Sequence, residues 1–228
     1  MALTPSRHRE PGLLGIDVQS DDGDAAGAFE RRSPSAVRGR LFLESCLALW
    51  VVLLLAWGGP VARAEEEVWP ALRTPGAVVV LRHSFAPGGF DPPESRLDDC
   101  STQRNLDENG RAQAIRIGEA FRRQGIAVGA VLSSPRCRCL DTARLAFGRV
   151  ESWGVLQGAL ADAALRQRQL AEIRQRIAAH RSGPPIVLVT HGSVVTDLTG
   201  LSIRMGEFVV LRRAPDDNHA VAGQLYVD

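Results

Sequence analysis

Three short, uninterrupted apolar runs constrain the fold of this chain more than any other feature of its sequence. They read AVVVL at 77–81, VGAVL at 128–132 and IVLV at 186–189. Short apolar runs rich in valine indicate strands that are buried on both faces, as in a parallel sheet. Helical patterns separate the runs. The chain is therefore predicted to be α/β, a three-layer sandwich with a largely parallel central sheet and helices on both faces.

The remaining elements follow from periodicity and from capping residues. We predict helices over Leu106–Gly125, Arg136–Phe147, Leu160–Arg181 and Val194–Thr199, and strands near a sheet edge over Glu207–Leu211 and Ala220–Val227. Asp107 is expected to cap the first helix. Ser133-Ser134-Pro135 predicts a cap residue and then a proline at the first position of the second helix.

Composition excludes several classes of protein. The chain has 228 residues, of which 45% are hydrophobic and 23% are charged, so it is not mainly disordered, collagen-like or a polytopic membrane protein. The formal charge is +1, which gives no sign of a nucleic acid partner. All 27 basic residues are arginine, which rules out a lysine nucleophile, a Schiff base or a Walker-type lysine.

Residues 1–64 are predicted to be an N-terminal extension plus a cleaved secretory signal peptide. The apolar stretch Ser45–Trp57 follows two arginines and precedes an A-R-A sequence that ends at Ala64. We expect cleavage after Ala64 and translation to start near Val37; an uncleaved membrane anchor is the alternative. The domain at 65–228 would then be periplasmic or secreted from a bacterium, without stable membrane insertion.

Cysteine usage predicts a disulfide in this domain. Cys100, Cys137 and Cys139 lie beyond the expected cleavage site, and an odd count in an exported protein suggests one disulfide and one free thiol. We expect Cys100 to pair with Cys137 or with Cys139. The C-R-C tripeptide is a poor metal motif, because no further ligand follows it at suitable spacing.

The three buried runs each end in polar residues of similar chemistry. The first delivers Arg82 and His83, the second leads to Arg138 one helical turn later, and the third delivers His191. Ligands of open α/β sheets bind at the carboxyl ends of the strands, so these side chains should converge on one crevice. Guanidinium groups and a helix N-terminus suit a tetrahedral oxyanion. The sequence therefore predicts a site for a phosphoryl group.

Four ordered blocks resemble those of the histidine phosphatase superfamily, which has the phosphoglycerate mutase-like fold. They are LRHSFAPG (81–88), NLDENGRAQA (105–114), SSPRCRCLDTA (133–143) and VTHG (189–192). The chain looks most similar to small exported bacterial members that lack a large cap insertion. The resemblance implies that His83 attacks phosphorus, that Arg82 and Arg138 hold the phosphoryl oxygens, and that His191 completes the phosphate pocket. It implies no metal and no other cofactor.

The chain departs from this family in two places that bear on catalysis. Ser84 stands where glycine or alanine is common, and its hydroxyl could add a hydrogen bond. The usual proton-donating glutamate has no clear counterpart; its offset falls on Asp162, with Glu151 and Asp99 as rivals. The residue after His191 is glycine, so the His-Asp pair of phytase-like enzymes is absent.

These inferences together predict a metal-independent phosphatase that hydrolyses phosphomonoesters through a phosphohistidine on His83. A phosphorylated small molecule or a phosphate ester of the cell envelope is the expected substrate. Two alternatives remain open: a family member that binds a phosphate ligand without turnover, and a phosphomutase. Intact Arg82, His83, Arg138 and His191 argue against the first, and expected export away from glycolytic substrates argues against the second.

Overall fold

A computed structural model describes residues 67–158, 160–214 and 218–228. The described residues belong to one compact unit of the chain. The predicted signal peptide and its cleavage site at Ala64 lie outside the described residues. None of the helices in the described part is both long enough and apolar enough to cross a membrane.

Six strands form a single sheet within the described residues. They are β1 (Val78–Arg82), β2 (Val131–Ser133), β3 (Glu151–Ser152), β4 (Ile186–Thr190), β5 (Glu207–Arg213) and β6 (His219–Tyr226). The spatial order is β3-β2-β4-β1-β5-β6. The pairings from β3 to β1 are parallel, whereas β5 and β6 join in antiparallel fashion. The predicted, largely parallel sheet is confirmed.

Helices cover both faces of this sheet. They are α1 (Glu108–Arg123), α2 (Cys137–Phe147), α3 (Ala163–Ala179) and α4 (Gly192–Thr199). Successive residues of β1 enter opposite cores: Val79 packs in the cluster that contains residues of α1 and α2, and Val80 in the cluster that contains residues of α3 and α4. Both valines are fully buried. The three-layer sandwich is therefore the observed fold, and burial of each valine side chain contributes about 1.5–3 kcal/mol.

The start of α2 differs from the prediction. Its cap residue is Arg136, which makes no side-chain capping bond, so Pro135 precedes the helix and is not its first residue. The Ser134 hydroxyl is within hydrogen-bond distance of His191 Nε2, at 2.9 Å, and accepts a hydrogen bond from the Arg136 amide. The serine expected to cap the helix thus contacts the His191 side chain instead. At α1 the prediction is confirmed, since the Asp107 carboxylate accepts a hydrogen bond from the Gly110 amide.

Helix α1 holds the segment that follows β1. A Cβ atom at Gly110 would lie 1.9 Å from the carbonyl oxygen of Phe85, so only glycine allows this close approach. One helical turn later, the Gln113 side-chain oxygen accepts a hydrogen bond from the Phe85 amide at 2.9 Å. The glycine and glutamine of the NLDENGRAQA block thereby fix the chain two residues beyond His83.

Candidate active site

A cavity of about 520 Å³ lies at the carboxyl ends of β1 and β4. Arg82, His83, Arg138 and His191, which the sequence predicted to converge, all line it. The other lining residues are Gly89, Phe90, Asp91, Arg104, Gly158, Gly192, Ser193, Thr196, Ser202 and Ile203. Asp162 is not among them.

His83 is buried and its orientation is fixed by the backbone. Its Nδ1 donates a hydrogen bond of 2.8 Å to the carbonyl oxygen of Ser84. A carbonyl can only accept, so the proton lies on Nδ1 and Nε2 keeps its lone pair. Burial lowers the pKa of His83 to about 3, and the positive charge of Arg138 adds to this effect against the opposing hydrogen bond to Ser84. The His83 ring is therefore neutral at neutral pH, and its Nε2 carries an unprotonated lone pair.

His191 lies beside His83, with 5.4 Å between the ring centroids. Arg138 Nη2 is 3.4 Å from His191 Nδ1, and His191 Nε2 is 2.9 Å from the Ser134 hydroxyl. Since a guanidinium only donates, Nδ1 accepts and the His191 proton lies on Nε2. Burial lowers the pKa of His191 to about 2, with His83 and Arg138 adding to the shift. His191 is thus also neutral.

Arg138 lies between Asp91 and His191 and contacts both side chains. Its Nη1 donates to both carboxylate oxygens of Asp91, at 2.9 Å each, while Nη2 faces His191. Asp91 also accepts a hydrogen bond of 2.8 Å from the Arg104 amide. Burial by itself would raise the pKa of Asp91, but this amide and the Arg138 and Arg136 charges outweigh burial and hold the pKa below its usual range. Asp91 is ionised in the empty site.

Arg82 is held at the end of β1 by two contacts. Its Nη1 donates a hydrogen bond of 2.7 Å to the carbonyl oxygen of Ile203. Its guanidinium lies against the backbone of Gly192, where a Cβ atom would be 3.2 Å from Arg82 Cζ. The glycine of the VTHG block therefore makes room for the arginine of the LRHS block.

Arg104 is a pocket residue that the sequence analysis missed. Its Nη1 donates to the backbone carbonyls of Ala86 and Gly88, which folds the loop after β1 around it. The Nε atoms of Arg82, Arg104 and Arg138 are all buried and have no hydrogen-bond partner in the described part of the chain. Three guanidinium groups therefore line the pocket. Such donors suit an anion with several oxygens.

Two further residues of the blocks connect α2 to the nucleophile. The Thr142 hydroxyl donates a hydrogen bond of 2.7 Å to the carbonyl oxygen of Arg138 and accepts one of 3.0 Å from the Ser84 amide. The threonine of the T-A pair therefore links the backbone of Arg138 to that of the residue after His83. The Ser84 hydroxyl is buried and has no partner among the described residues.

A disulfide attaches the loop after β1 to the start of α2. Cys100 pairs with Cys137, which confirms Cys100 as one partner and leaves Cys139 as a buried free thiol. Burial raises the pKa of Cys139 to about 12, so it is not a nucleophile. The Cys137 amide also donates to the side-chain oxygen of Gln103, at 3.0 Å. Arg104 and Arg138 each follow one of these anchored residues directly.

The three carboxylates considered as proton donors lie outside the pocket lining. Asp162 caps α3, accepting a hydrogen bond of 2.8 Å from the Leu165 amide, and is exposed. Glu151 is exposed on the short edge strand β3. Asp99 caps the 3-10 turn Cys100–Thr102 and pairs with Arg96. Of the pocket-lining residues in the described part of the chain, Asp91 alone has a carboxylate.

The two pocket residues that the sequence did not predict, Asp91 and Arg104, lie close to the recognised blocks. Arg104 directly precedes the NLDENGRAQA block, and Asp91 lies in the polar loop that follows LRHSFAPG. Neither residue has a local pattern that separates it from the other charged residues of its segment. Only the folded loop brings both to the cavity. Within the described ranges, no group of three His, Cys, Asp or Glu side chains is arranged to hold a metal ion.

Comparison with known proteins agrees with this geometry. The family model described as "Histidine phosphatase superfamily (branch 1)" matches residues 95–162, a range that includes two of the four blocks. A search of curated proteins found no match. Among solved structures, a putative alpha-ribazole-5'-P phosphatase from Escherichia coli is similar, with a TM-score of 0.51 and 13% identity, covering 64% of this chain and 94% of the other.

Two further solved structures give lower TM-scores. A putative phosphohistidine phosphatase SixA from Agrobacterium tumefaciens has a TM-score of 0.47 and 20% identity over 66% of this chain and 97% of its own. A phosphoserine phosphatase mutant from Entamoeba histolytica has a TM-score of 0.49 and 12% identity over 65% and 95%. The family model thus matches the part of the chain at 95–162, and the Escherichia coli structure shows that the fold is shared.

Proposed function

We propose that this chain is a metal-independent phosphatase that hydrolyses phosphomonoesters through a phosphohistidine on His83. The observation that carries the proposal is the convergence of Arg82, Arg104 and Arg138 on one cavity together with an oriented, neutral histidine, His83. Fixed donors aimed at developing charge stabilise a transition state without reorganisation, and each can contribute about 3–4 kcal/mol. Guanidinium groups can thereby take the part that a metal plays in other phosphoryl-transfer sites.

The charge of the pocket favours a monoester. Among the described residues, three arginines and one aspartate line the cavity, which gives a formal charge of +2 before substrate binds, while Asp91 is ionised and both histidines are neutral. A phosphomonoester is close to a dianion at neutral pH, because its second pKa is near 6. The site therefore matches the charge of one phosphoryl group.

The chemical step uses the lone pair on His83 Nε2. This atom attacks phosphorus, the bond from phosphorus to the ester oxygen breaks, and the leaving oxygen takes a proton. Water then attacks the phosphohistidine, which releases inorganic phosphate and restores His83. The hydrogen bond from His83 Nδ1 to Ser84 stabilises the ring when it carries the phosphoryl group and becomes cationic.

The proposal also covers the alcohol part of the substrate and the cellular location of the protein. Hydroxyl groups of Ser193, Thr196 and Ser202 line the cavity beside the phosphate-binding arginines, which suits a small hydroxylated alcohol such as a sugar. The N-terminal pattern that ends at Ala64 supports export. We therefore propose a phosphorylated small molecule or an envelope phosphate ester as the substrate, in the periplasm or outside the cell.

The decisive experiment traps the covalent intermediate. Wild-type protein incubated with a labelled aryl phosphate and denatured without acid should carry an acid-labile label, and chelators should leave the rate unchanged. His83→Ala should lose the label and lower turnover by about 10⁴-fold or more, as loss of a nucleophile does elsewhere. His180→Ala, the same change at the C-terminal cap of α3, is the control and should retain both.

Several results would contradict the proposal. An acid-stable label, or a label that persists in His83→Ala, would place the nucleophile elsewhere, with Ser84 as the first residue to test. Tight phosphate binding without turnover would identify a binding protein, and formation of an isomeric ester without inorganic phosphate would identify a mutase.

For export, intact mass from the native host should show Glu65 as the first residue; a form that retains Trp57 would reject cleavage at Ala64.

A further inference from the structure

The phosphatase proposed above needs a group that protonates the leaving oxygen, since alkoxides are poor leaving groups. We infer that Asp91 is this group: it donates a proton to the leaving oxygen and then accepts one from the water that attacks the phosphohistidine. The inference rests on the proposed function. It replaces Asp162, which caps α3, with a carboxylate that lines the pocket.

The first argument is proximity to the phosphoryl group. Asp91 and His191 bind the two Nη atoms of the same guanidinium, that of Arg138, at 2.9 and 3.4 Å. A phosphoryl group that binds to the guanidinium of Arg138 therefore lies next to a group that already contacts the Asp91 carboxylate. None of the three rival carboxylates shares a pocket residue in this way.

The second argument is the origin of the two residues. His83 ends a strand, whereas Asp91 lies on the loop that follows it. In-line displacement places the leaving oxygen on the side of phosphorus away from the nucleophile, which requires a proton donor separate from His83. The Asp91 side chain is 12% exposed, which keeps it largely away from competing water yet open to the cavity.

The third argument concerns the protonation state. The Arg138 charge and the Arg104 amide keep Asp91 ionised, and both Asp91 carboxylate oxygens accept hydrogen bonds from Arg138 Nη1. A bound phosphoryl dianion competes for Arg138 and repels the carboxylate, and a like charge favours the protonated form of a carboxyl group. Substrate binding therefore loads the acid, with the proton supplied by the substrate monoanion or by solvent.

The proton balance closes over one cycle. Protonated Asp91 gives its proton to the ester oxygen as the bond to phosphorus breaks, which leaves a free alcohol and a carboxylate. The carboxylate then takes one proton from water as the water oxygen bonds to phosphorus and the bond to His83 Nε2 breaks. Asp91 finishes protonated beside inorganic phosphate, and releases that proton when phosphate leaves.

The test compares leaving groups. Wild type and Asp91→Asn are assayed on p-nitrophenyl phosphate, whose leaving group needs no proton, and on glycerol 2-phosphate, whose leaving group does. Asp91→Asn should lower kcat on the alkyl ester by about 10²-fold or more and on the aryl ester by less than about 10-fold. Asp91→Glu, which keeps an ionisable group, should regain part of the alkyl activity.

Matched variants separate this role from a structural one. Asp98→Asn changes an exposed carboxylate of the same loop and should alter neither rate. Thermal melting verifies that each variant is folded. An equal loss by Asp91→Asn on both esters would overturn the inference, because a residue that only positions Arg138 affects all leaving groups alike. So would a leaving-group split in Asp162→Asn with none in Asp91→Asn. Failure of wild type to form an acid-labile label would instead reject the proposed function.

Discussion

The pocket has two halves that are held in place by different forces. The strand-borne half consists of Arg82, His83 and His191, at the ends of β1 and β4. The loop-borne half consists of Asp91 and Arg104, in the segment between β1 and α1. The first continues directly from strands that are buried on both faces. The second lies outside the strands and α-helices and depends on side-chain hydrogen bonds and on a disulfide.

The difference indicates how the work of catalysis is divided. A nucleophile has to keep its geometry through both chemical steps, and a packed parallel sheet provides the least mobile support in the fold. Residues that contact the leaving group of the substrate have to move as substrate binds and product leaves, and loops tolerate such movement better than strands do. We therefore expect changes to the strand-borne half to affect the chemical step, and changes to the loop-borne half to affect binding and leaving-group selectivity as well.

Removal of the disulfide tests the loop-borne half most severely. Cys100 and Cys137 are separated by 37 positions, and closing such a loop stabilises the fold by about 3–4 kcal/mol in the chain-entropy model. The Cys100→Ser/Cys137→Ser variant should lose that amount in urea unfolding and should show a raised KM, yet still label His83. Wild type should become reductant-sensitive while the variant does not. Three reactive thiols in denatured wild-type protein starting at Glu65 would contradict the disulfide.

Arg138→Ala tests the group that joins the halves. It removes a donor to the phosphoryl group and leaves Asp91 without its closest cation. We expect kcat/KM to fall by about 10²- to 10³-fold, as for loss of an oxyanion donor. Steady-state kinetics on the aryl ester measures the change. A loss smaller than about 10-fold, in a variant that melts near the wild-type temperature, would show that the other two arginines bind the phosphoryl group without it.

As the pH falls below 6.5, the two histidines of the strand-borne half should lower the free energy of unfolding before Asp91 does. The unfolded chain protonates its histidines near pH 6.5, whereas burial lowers the folded pKa values of His83 and His191 to about 3 and about 2. The unfolded state then binds more protons below pH 6.5, so stability is present above that pH and falls by up to about 1.4 kcal/mol per pH unit for each histidine. Asp91, with its lowered pKa, loses its contribution only below the usual aspartate range.

Urea unfolding at several pH values between 7.5 and 4.5 measures this slope. His83→Asn, which cannot titrate, should give a shallower slope than wild type, and the difference isolates His83 from the other histidines. Equal slopes for the two proteins would mean that His83 is protonated normally in the folded state.

The smallest predicted effect concerns Asp162, which belongs to neither half. Its carboxylate caps α3, so Asp162→Ala should cost about 1 kcal/mol of stability, whereas Asp162→Asn should cost little, because asparagine caps equally well. Thermal melting measures both. Loss of activity in Asp162→Asn without loss of stability would return this residue to the list of catalytic candidates.

The sequence by itself determined the fold class and the strand-borne half. Apolar runs that must be buried on both faces leave few alternatives to a parallel sheet, and residues at their carboxyl ends then have to meet. That reasoning predicted from the sequence alone that four side chains converge on one crevice: Arg82, His83, Arg138 and His191. It also identified Cys100 as a disulfide partner, because the three cysteines after Ala64 allow only three pairings.

The tertiary structure decided the loop-borne half and the choice between rival residues. No periodicity acts between β1 and α1, so the positions of Asp91 and Arg104 depend on contacts with distant segments, such as the ion pair to Arg138. The same holds for Cys137 over Cys139, and for Ser134 bonding to His191 rather than capping α2. Local sequence encodes burial and helical period, whereas the partner of a polar side chain is known only when the chain is folded.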